Sequence, residues 1–293
     1  MADSTAQPEA QAHPAHNPID RFIEVAGLRL HYLDFGGDGR PWLVCLHGLS
    51  GNAHNFDPIV PSLQPRYHVL SLDVRGRGDS AWGPPTDYLP KNYVEDLAAI
   101  LDRLGIARVT LVGTSMGGII SMMYGGGWPE RVEKMVLNDI GPEIDPAGAA
   151  RIGSYMGVAP EQFKDLGEVA AYYRKIYPSM APLPEDALRE SVKWSVKPLA
   201  NGALGWKLDP AIRRPPRGST AQQRLDLWVP FARITCPILV IRGADSDILS
   251  PRTAEQMRTT HANVTVVEVA GVGHAPSLTE PEAAAALRKF LAL

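Results

Sequence analysis

A doubly wound α/β core, interrupted once by a helical insertion, is what this 293-residue sequence predicts. Three observations carry the prediction. Short apolar runs such as "PWLVCLHG" and "HVLSLDVRG" end in glycine-containing turns, the pattern of strands buried on both faces of a mostly parallel sheet. These runs alternate with segments of helical spacing. The rhythm lapses from about Pro142 to Pro230 and then resumes.

The elements follow in order. "MADSTAQPEAQAHPAHNP" has no basic start and no apolar stretch of signal-peptide type, and its composition predicts a disordered tail over residues 1–20. "RFIEVAGLRLHYLDFG" alternates on both sides of Ala26-Gly27, as a β-hairpin does. "NYVEDLAAILDRLG" places Val94, Leu97, Ala98, Leu101 and Leu104 at helical spacing, with Gly105 as its stop. "RVTLVGTS", "MGGIISMMYGG" and "RVEKMVLNDI" read as strand, helix and strand. Residues 142–230 hold helical stretches among prolines and aromatics, without strand runs. "CPILVIRG", "SPRTAEQMRTTH", "VTVVEVAG" and "PEAAAALRKFLAL" restore the alternation. The core therefore comprises residues 21–141 and 231–293, with an inserted cap over 142–230.

Composition narrows the function classes. A formal net charge of −3 gives no general attraction to nucleic acid or anionic membrane. "RRPPRG" (Arg213 to Gly218) is the one dense basic cluster and reads as a solvated proline-rich loop. Cys45 and Cys236 sit beside strand-like runs and read as buried apolar residues, outside any metal or disulfide pattern. No apolar run reaches the length of a membrane span, so the expected location is cytoplasmic. Oligomeric state is not legible.

The chemistry concentrates in "LVGTSMGGII". Gly113, Ser115 and Gly117 form G-x-S-x-G between a strand and a helix. That spacing puts the serine at the apex of a sharp turn, with glycines where neighbouring backbone must approach. Of the eight histidines, His274 in "VAGVGHAPSL" lies on a glycine-rich loop after the last strand, late enough in the chain to serve as the serine's base. Gly48, in "CLHGLSGN", allows a turn that aims the Leu49 N–H at the serine. Met116 supplies the second N–H of an expected oxyanion hole. His47 is expected to brace that turn by hydrogen bonds. His47, Gly48, Tyr155 and Trp206 are the candidate substrate-binding residues.

With "HGLSG", "DVRGRGDS", "GTSMGG", "WPERV", "RGADSDILSP" and "GVGHAP" in this order, the chain resembles the α/β-hydrolase fold superfamily from about residue 20 to its end. It is similar to the subgroup with a helical cap after the sixth strand. The resemblance implies an eight-stranded, mostly parallel sheet, a Ser-His-Asp triad, and no metal or other cofactor. It also implies an acid after "PILVIRG", commonly three residues past the turn glycine and four before a proline. Counting from Gly243 gives Ser246, which cannot serve; counting back from Pro251 gives Asp247, the expected acid. Asp245 and Asp139 remain alternatives. Asp73 and Asp79 fit better as turn-holding groups.

A serine at position 115 excludes the haloalkane-dehalogenase and epoxide-hydrolase branches in their usual form, which need aspartate there. The reading is then a serine hydrolase that cleaves small to medium apolar or aromatic carboxylic esters through an acyl-enzyme, with the ester and water as its only partners. Lactonase, thioesterase, perhydrolase and carbon–carbon hydrolase activities stay open on the same residues. So do a cofactor-free lyase or dioxygenase, and a non-catalytic ligand-binding protein of this fold. An arginine of "RRPPR" reaching a substrate carboxylate is a further expectation.

Overall fold

The computed structural model describes residues 17–177, 180, 183–214 and 226–293. Residues 1–16 of the expected tail and 215–218 of the basic cluster lie outside that set. Ile19 and Asp20, assigned above to the tail, already belong to the first strand.

Strands β1 (Ile19–Val25) and β2 (Leu28–Asp34) form the hairpin, turning at Ala26-Gly27. Then follow β3 (Trp42–Leu46), the short helix α1 (Val60–Leu63), β4 (His68–Leu72), α2 (Pro90–Arg103), β5 (Val109–Thr114), α3 (Met116–Gly127) and β6 (Val132–Asn138). The insertion carries α4 (Pro146–Gly157), β7 (Gln162–Phe163), α5 (Leu166–Ile176), α6 (Glu185–Val192), β8 (Val196–Pro198), β9 (Leu204–Trp206) and α7 (Pro210–Arg213), and α8 (Trp228–Arg233) returns the chain to the main core. The chain closes with β10 (Ile238–Gly243), α9 (Pro251–Thr260), β11 (Val264–Val269) and α10 (Pro281–Leu291).

Eight strands make one sheet in the order β1-β2-β4-β3-β5-β6-β10-β11, antiparallel at the hairpin end and parallel from β4 to β11. Its middle strands β3, β5 and β10 are buried along nearly their whole length because both faces are covered. In β3, Val44 and Leu46 face a core shared with α2, α3 and α8, whereas Leu43 and Cys45 face a second core shared with α1 and α10. Strand β10 divides likewise, with Ile238 and Val240 on the first side and Leu239 and Ile241 on the second. The strand order reverses at the β3–β5 pair, so the loops leaving the carboxyl ends of these two strands flank a crevice, the usual ligand position in such sheets.

The insertion is not purely helical, which corrects the sequence expectation. β7, β9 and β8 form a small antiparallel sheet of strands two or three residues long. The insertion has its own core, with Met156, Phe163, Val169, Tyr173, Leu188, Val192 and Trp206 packed together. Polar ties hold it to the main core: Lys207 to Asp79 at 2.6 Å, Tyr88 to Asp209, and Ser50 to Tyr177 at 2.6 Å.

At the end of β3, the buried His47 ring braces the next turn. Its Nδ1–H donates to the Gly48 carbonyl at 2.7 Å, and its Nε2 accepts from the Val74 N–H at 3.1 Å. That pair of bonds needs a neutral ring, and burial pushes the imidazole down to about 4 from the usual 6.5. An unfolded chain takes up this proton near pH 6.5, so protonation favours unfolding as the pH falls from there to about 4. Above pH 6.5 the contribution is complete; across the window it declines by about 3 kcal/mol.

Two outcomes are expected in urea unfolding. Between pH 7 and pH 4.5, His47→Gln should lose about 2 kcal/mol less stability than the wild type; equal losses would mean that His47 titrates as an ordinary imidazole. A Cβ at Gly117 would lie 1.9 Å from the Leu46 carbonyl oxygen, whereas one at Gly127 meets nothing within 4 Å. Gly117→Ala should therefore destabilise by about 3 kcal/mol or more, and Gly127→Ala should be neutral or stabilise by up to about 1 kcal/mol. Equal stabilities would show that the turn before α3 yields freely.

Candidate active site

Ser115 sits between β5 and α3 with φ 52° and ψ −115°, a left-handed backbone conformation that L-residues avoid. The turn is held by the Ser115 N–H donating to the Asn138 carbonyl at 3.0 Å and by the Gly118 N–H donating to the Ser115 carbonyl at 2.8 Å. The side-chain oxygen lies 2.9 Å from His274 Nε2. His274 Nδ1 lies 2.7 Å from Asp139 Oδ2. Because a carboxylate oxygen accepts, Nδ1 carries the proton and Nε2 presents its lone pair to the serine hydroxyl.

The acid beside His274 is therefore Asp139, one residue past β6, and neither aspartate of "RGADSDILSP". Asp139 is fully buried and adopts φ 55°. Its other donors come from that very loop: the Gly243 N–H reaches Oδ1 at 2.9 Å and the Ser246 hydroxyl reaches Oδ2 at 2.6 Å. Ser246, at the position three past the turn glycine, thus supports an acid supplied from the neighbouring strand. Its oxygen also accepts from the Ile248 and Leu249 N–H groups, which folds the loop tightly around it. Asp247 points elsewhere. It takes both arms of Arg151 on α4, at 2.5 and 2.8 Å, and this guanidinium holds its carboxyl below the usual range. Asp245 is exposed, and its N–H donates to the Val272 carbonyl. The proline register failed because it locates a loop position without saying which carboxylate reaches the histidine.

The loop after β3 lies against the serine: a Cβ on Gly48 would be 3.5 Å from Ser115 Cβ. Neither the Leu49 nor the Met116 N–H takes part in the turn and loop hydrogen bonds of the described residues. Behind both lies Arg77, 1% exposed. It donates through Nε to the Leu49 carbonyl at 3.1 Å, to the Tyr93 hydroxyl and the Arg75 carbonyl at 2.9 Å each, and to Met116 Sδ at 3.3 Å. No carboxylate pairs with it among the described residues. The sequence reading treated "DVRGRGDS" as a turn and missed this arginine; a charged residue between two glycines was the available signal.

His47, named as a candidate substrate-binding residue, is fully buried with both ring nitrogens bonded to backbone, so it braces the loop instead. Gly48 stays beside the serine. Tyr155 and Trp206 line a small cavity between the insertion and the loop after β3, together with Ser50, Tyr172, Tyr177 and Arg213. His31, Asp73 and Asp79 bring three metal-ligand-type atoms within 4.8 Å of one another. Asp73 is already committed there: it accepts from the Ala53 and Asp79 N–H groups and pairs with His31 Nδ1, which makes the group a latch between β2 and the turn after β4. Among the described residues no helix is long and apolar enough to cross a membrane.

Comparison with known proteins agrees with this architecture. The sequence pattern of the α/β-hydrolase fold family matches residues 41–281. A 3-hydroxybutyrate-oligomer hydrolase of Cupriavidus necator is 37% identical over 278 residues, which cover 92% of this chain and 94% of that protein. An esterase of Mycobacterium tuberculosis is 27% identical over 281 residues, 94% of this chain and 90% of that one. The crystal structure of an α/β hydrolase from Novosphingobium aromaticivorans superposes with a TM-score of 0.86 at 35% identity, covering 95% of this chain and 99% of that one. With its sheet order, its serine turn and full-length relatives that are hydrolases, the chain belongs to the α/β-hydrolase fold family.

Proposed function

We propose that this hydrolase cleaves carboxylic esters of small to medium size through an acyl-enzyme on Ser115. The observation that carries the reading is the Ser115–His274–Asp139 relay, at 2.9 and 2.7 Å, on a serine in strained backbone. His274 Nε2 takes the hydroxyl proton as Ser115 Oγ attacks the ester carbonyl carbon. The Leu49 and Met116 N–H groups receive the resulting oxyanion. His274 then returns the proton to the departing alcohol, and water attacks the acyl-enzyme by the same route, restoring the serine. Asp139 fixes the Nδ1–H tautomer and stabilises the imidazolium while it lasts. The relatives' activities, an esterase and a hydrolase of 3-hydroxybutyrate oligomers, favour esters of short hydroxy acids over aromatic ones.

The reading is tested with p-nitrophenyl butyrate. Ser115→Ala should lower kcat by about five to six orders of magnitude. Asp139→Asn should lower it by about 10³–10⁴, since the amide reverses the tautomer preference. Asp247→Asn should stay within about tenfold of the wild type, because it loosens an ion pair at the insertion and leaves His274 held. The opposite ranking of the two aspartates would make Asp247 the orienting acid. Undiminished turnover by Ser115→Ala would remove the acyl-enzyme altogether.

A further inference from the structure

Among the described residues, the cavity under the insertion has an apolar and aromatic wall and one cation, Arg213. Ser50, which follows Leu49 directly, lies at its border and hydrogen-bonds the Tyr177 hydroxyl at 2.6 Å. The cavity thus adjoins the loop that flanks the serine. Tyr155, Tyr172 and Trp206 continue the wall to Arg213.

Arg213 is 4% exposed, at the end of the four-residue helix α7. One terminal nitrogen donates to the Ala159 and Pro160 carbonyls at 3.4 and 3.2 Å, and the other to Glu161 at 2.8 Å. Its Nε is buried and has no hydrogen-bond partner among the described residues. Glu161 is itself half exposed and shared with Arg214, so two guanidinium groups draw on one carboxylate. The guanidinium stacks near Trp206, 5.7 Å from the ring centroid, which restricts its orientation. A buried cation with one idle donor and half a counter-charge is a costly arrangement unless something else completes it. A carboxylate offers both the missing acceptor and the missing charge.

We propose that Arg213 receives the free carboxylate of the substrate, so that the enzyme selects esters of hydroxycarboxylic acids over neutral esters. The proposal rests on the ester-hydrolase reading above and adds the substrate's second functional group. The reacting carbonyl is held at Ser115 while the acid terminus extends under the insertion. Neutral esters lack the group that satisfies Arg213, and they bind without that interaction.

The test compares the linear dimer of 3-hydroxybutyrate with its methyl ester, which differs only in the masked carboxylate. Wild type should show a kcat/KM ratio of about tenfold or more in favour of the free acid, carried by KM, as expected for one charge-assisted hydrogen bond. In Arg213→Gln that ratio should fall at least about tenfold towards one, with Arg213→Lys intermediate. A wild-type ratio near one, or a ratio unchanged in Arg213→Gln, would overturn the proposal. If Arg213→Gln does not fold, competition against p-nitrophenyl butyrate in the wild type decides. Hexanoate should then inhibit at about tenfold lower concentration than hexanamide, and equal inhibition would overturn the proposal. Failure of the esterase reading looks different: p-nitrophenyl butyrate turnover would survive Ser115→Ala.

Discussion

Ser115 holds a backbone conformation that an L-residue keeps only under compulsion, and much of the neighbouring structure supplies that compulsion. The φ of 52° lifts its oxygen out of the strand-to-helix turn. Holding it there requires α3 to start immediately and to run close to β3, so closely that Gly117 cannot carry a Cβ beside the Leu46 carbonyl. Gly113 has the same restriction against the backbone of Gly117 and Gly118. The apolar strands on either side, buried on both faces, make the platform stiff enough to resist the strain. Each layer of the core therefore bears on one side chain's position.

The same platform places a positive charge against the two residues proposed as oxyanion donors. Arg77 touches the Leu49 carbonyl and Met116 sulfur, the two residues proposed to supply the oxyanion-hole N–H groups, and it has no carboxylate partner among the described residues. A buried guanidinium satisfied by carbonyls and a phenol keeps its charge unspent, and the low local dielectric extends its reach. It also links the two residues proposed as donors through one buried group. His47 works with it from the other side of the loop: its neutral ring fixes Gly48 and the start of the turn after β4.

What the sequence made legible follows from range. The sheet, the serine turn and His274 rest on local patterns: runs buried on both faces, glycines around an apex, a loop after the last strand. The small sheet of the insertion escaped because strands such as "QF" and "VKP" are too short to alternate. Arg77 and Arg213 look like ordinary surface charges in one dimension, and only packing reveals that both are buried. Asp139 shows the limit most clearly. Two carboxylates stood in the expected loop, and no count along the chain reveals that His274 leans towards β6. The serine at the register position was the useful residue, since its hydroxyl holds the carboxylate that comes from the adjacent strand.

That loop adds a further tie between the core and the insertion. Gly243 and Ser246 orient Asp139, and Asp247, the next residue, grips Arg151 on the first helix of the insertion. Gly148 on the same helix packs so tightly on the Asp247 carbonyl that a Cβ would lie 2.1 Å from it. A shift of α4 therefore acts on the peptide next to the residue that steadies the acid. The insertion also carries Tyr155 and, through α7, Arg213, so groups lining the cavity and the brace of the histidine's partner share one mechanical connection. The ion pair thus ties the first helix of the insertion to the loop that holds the acid.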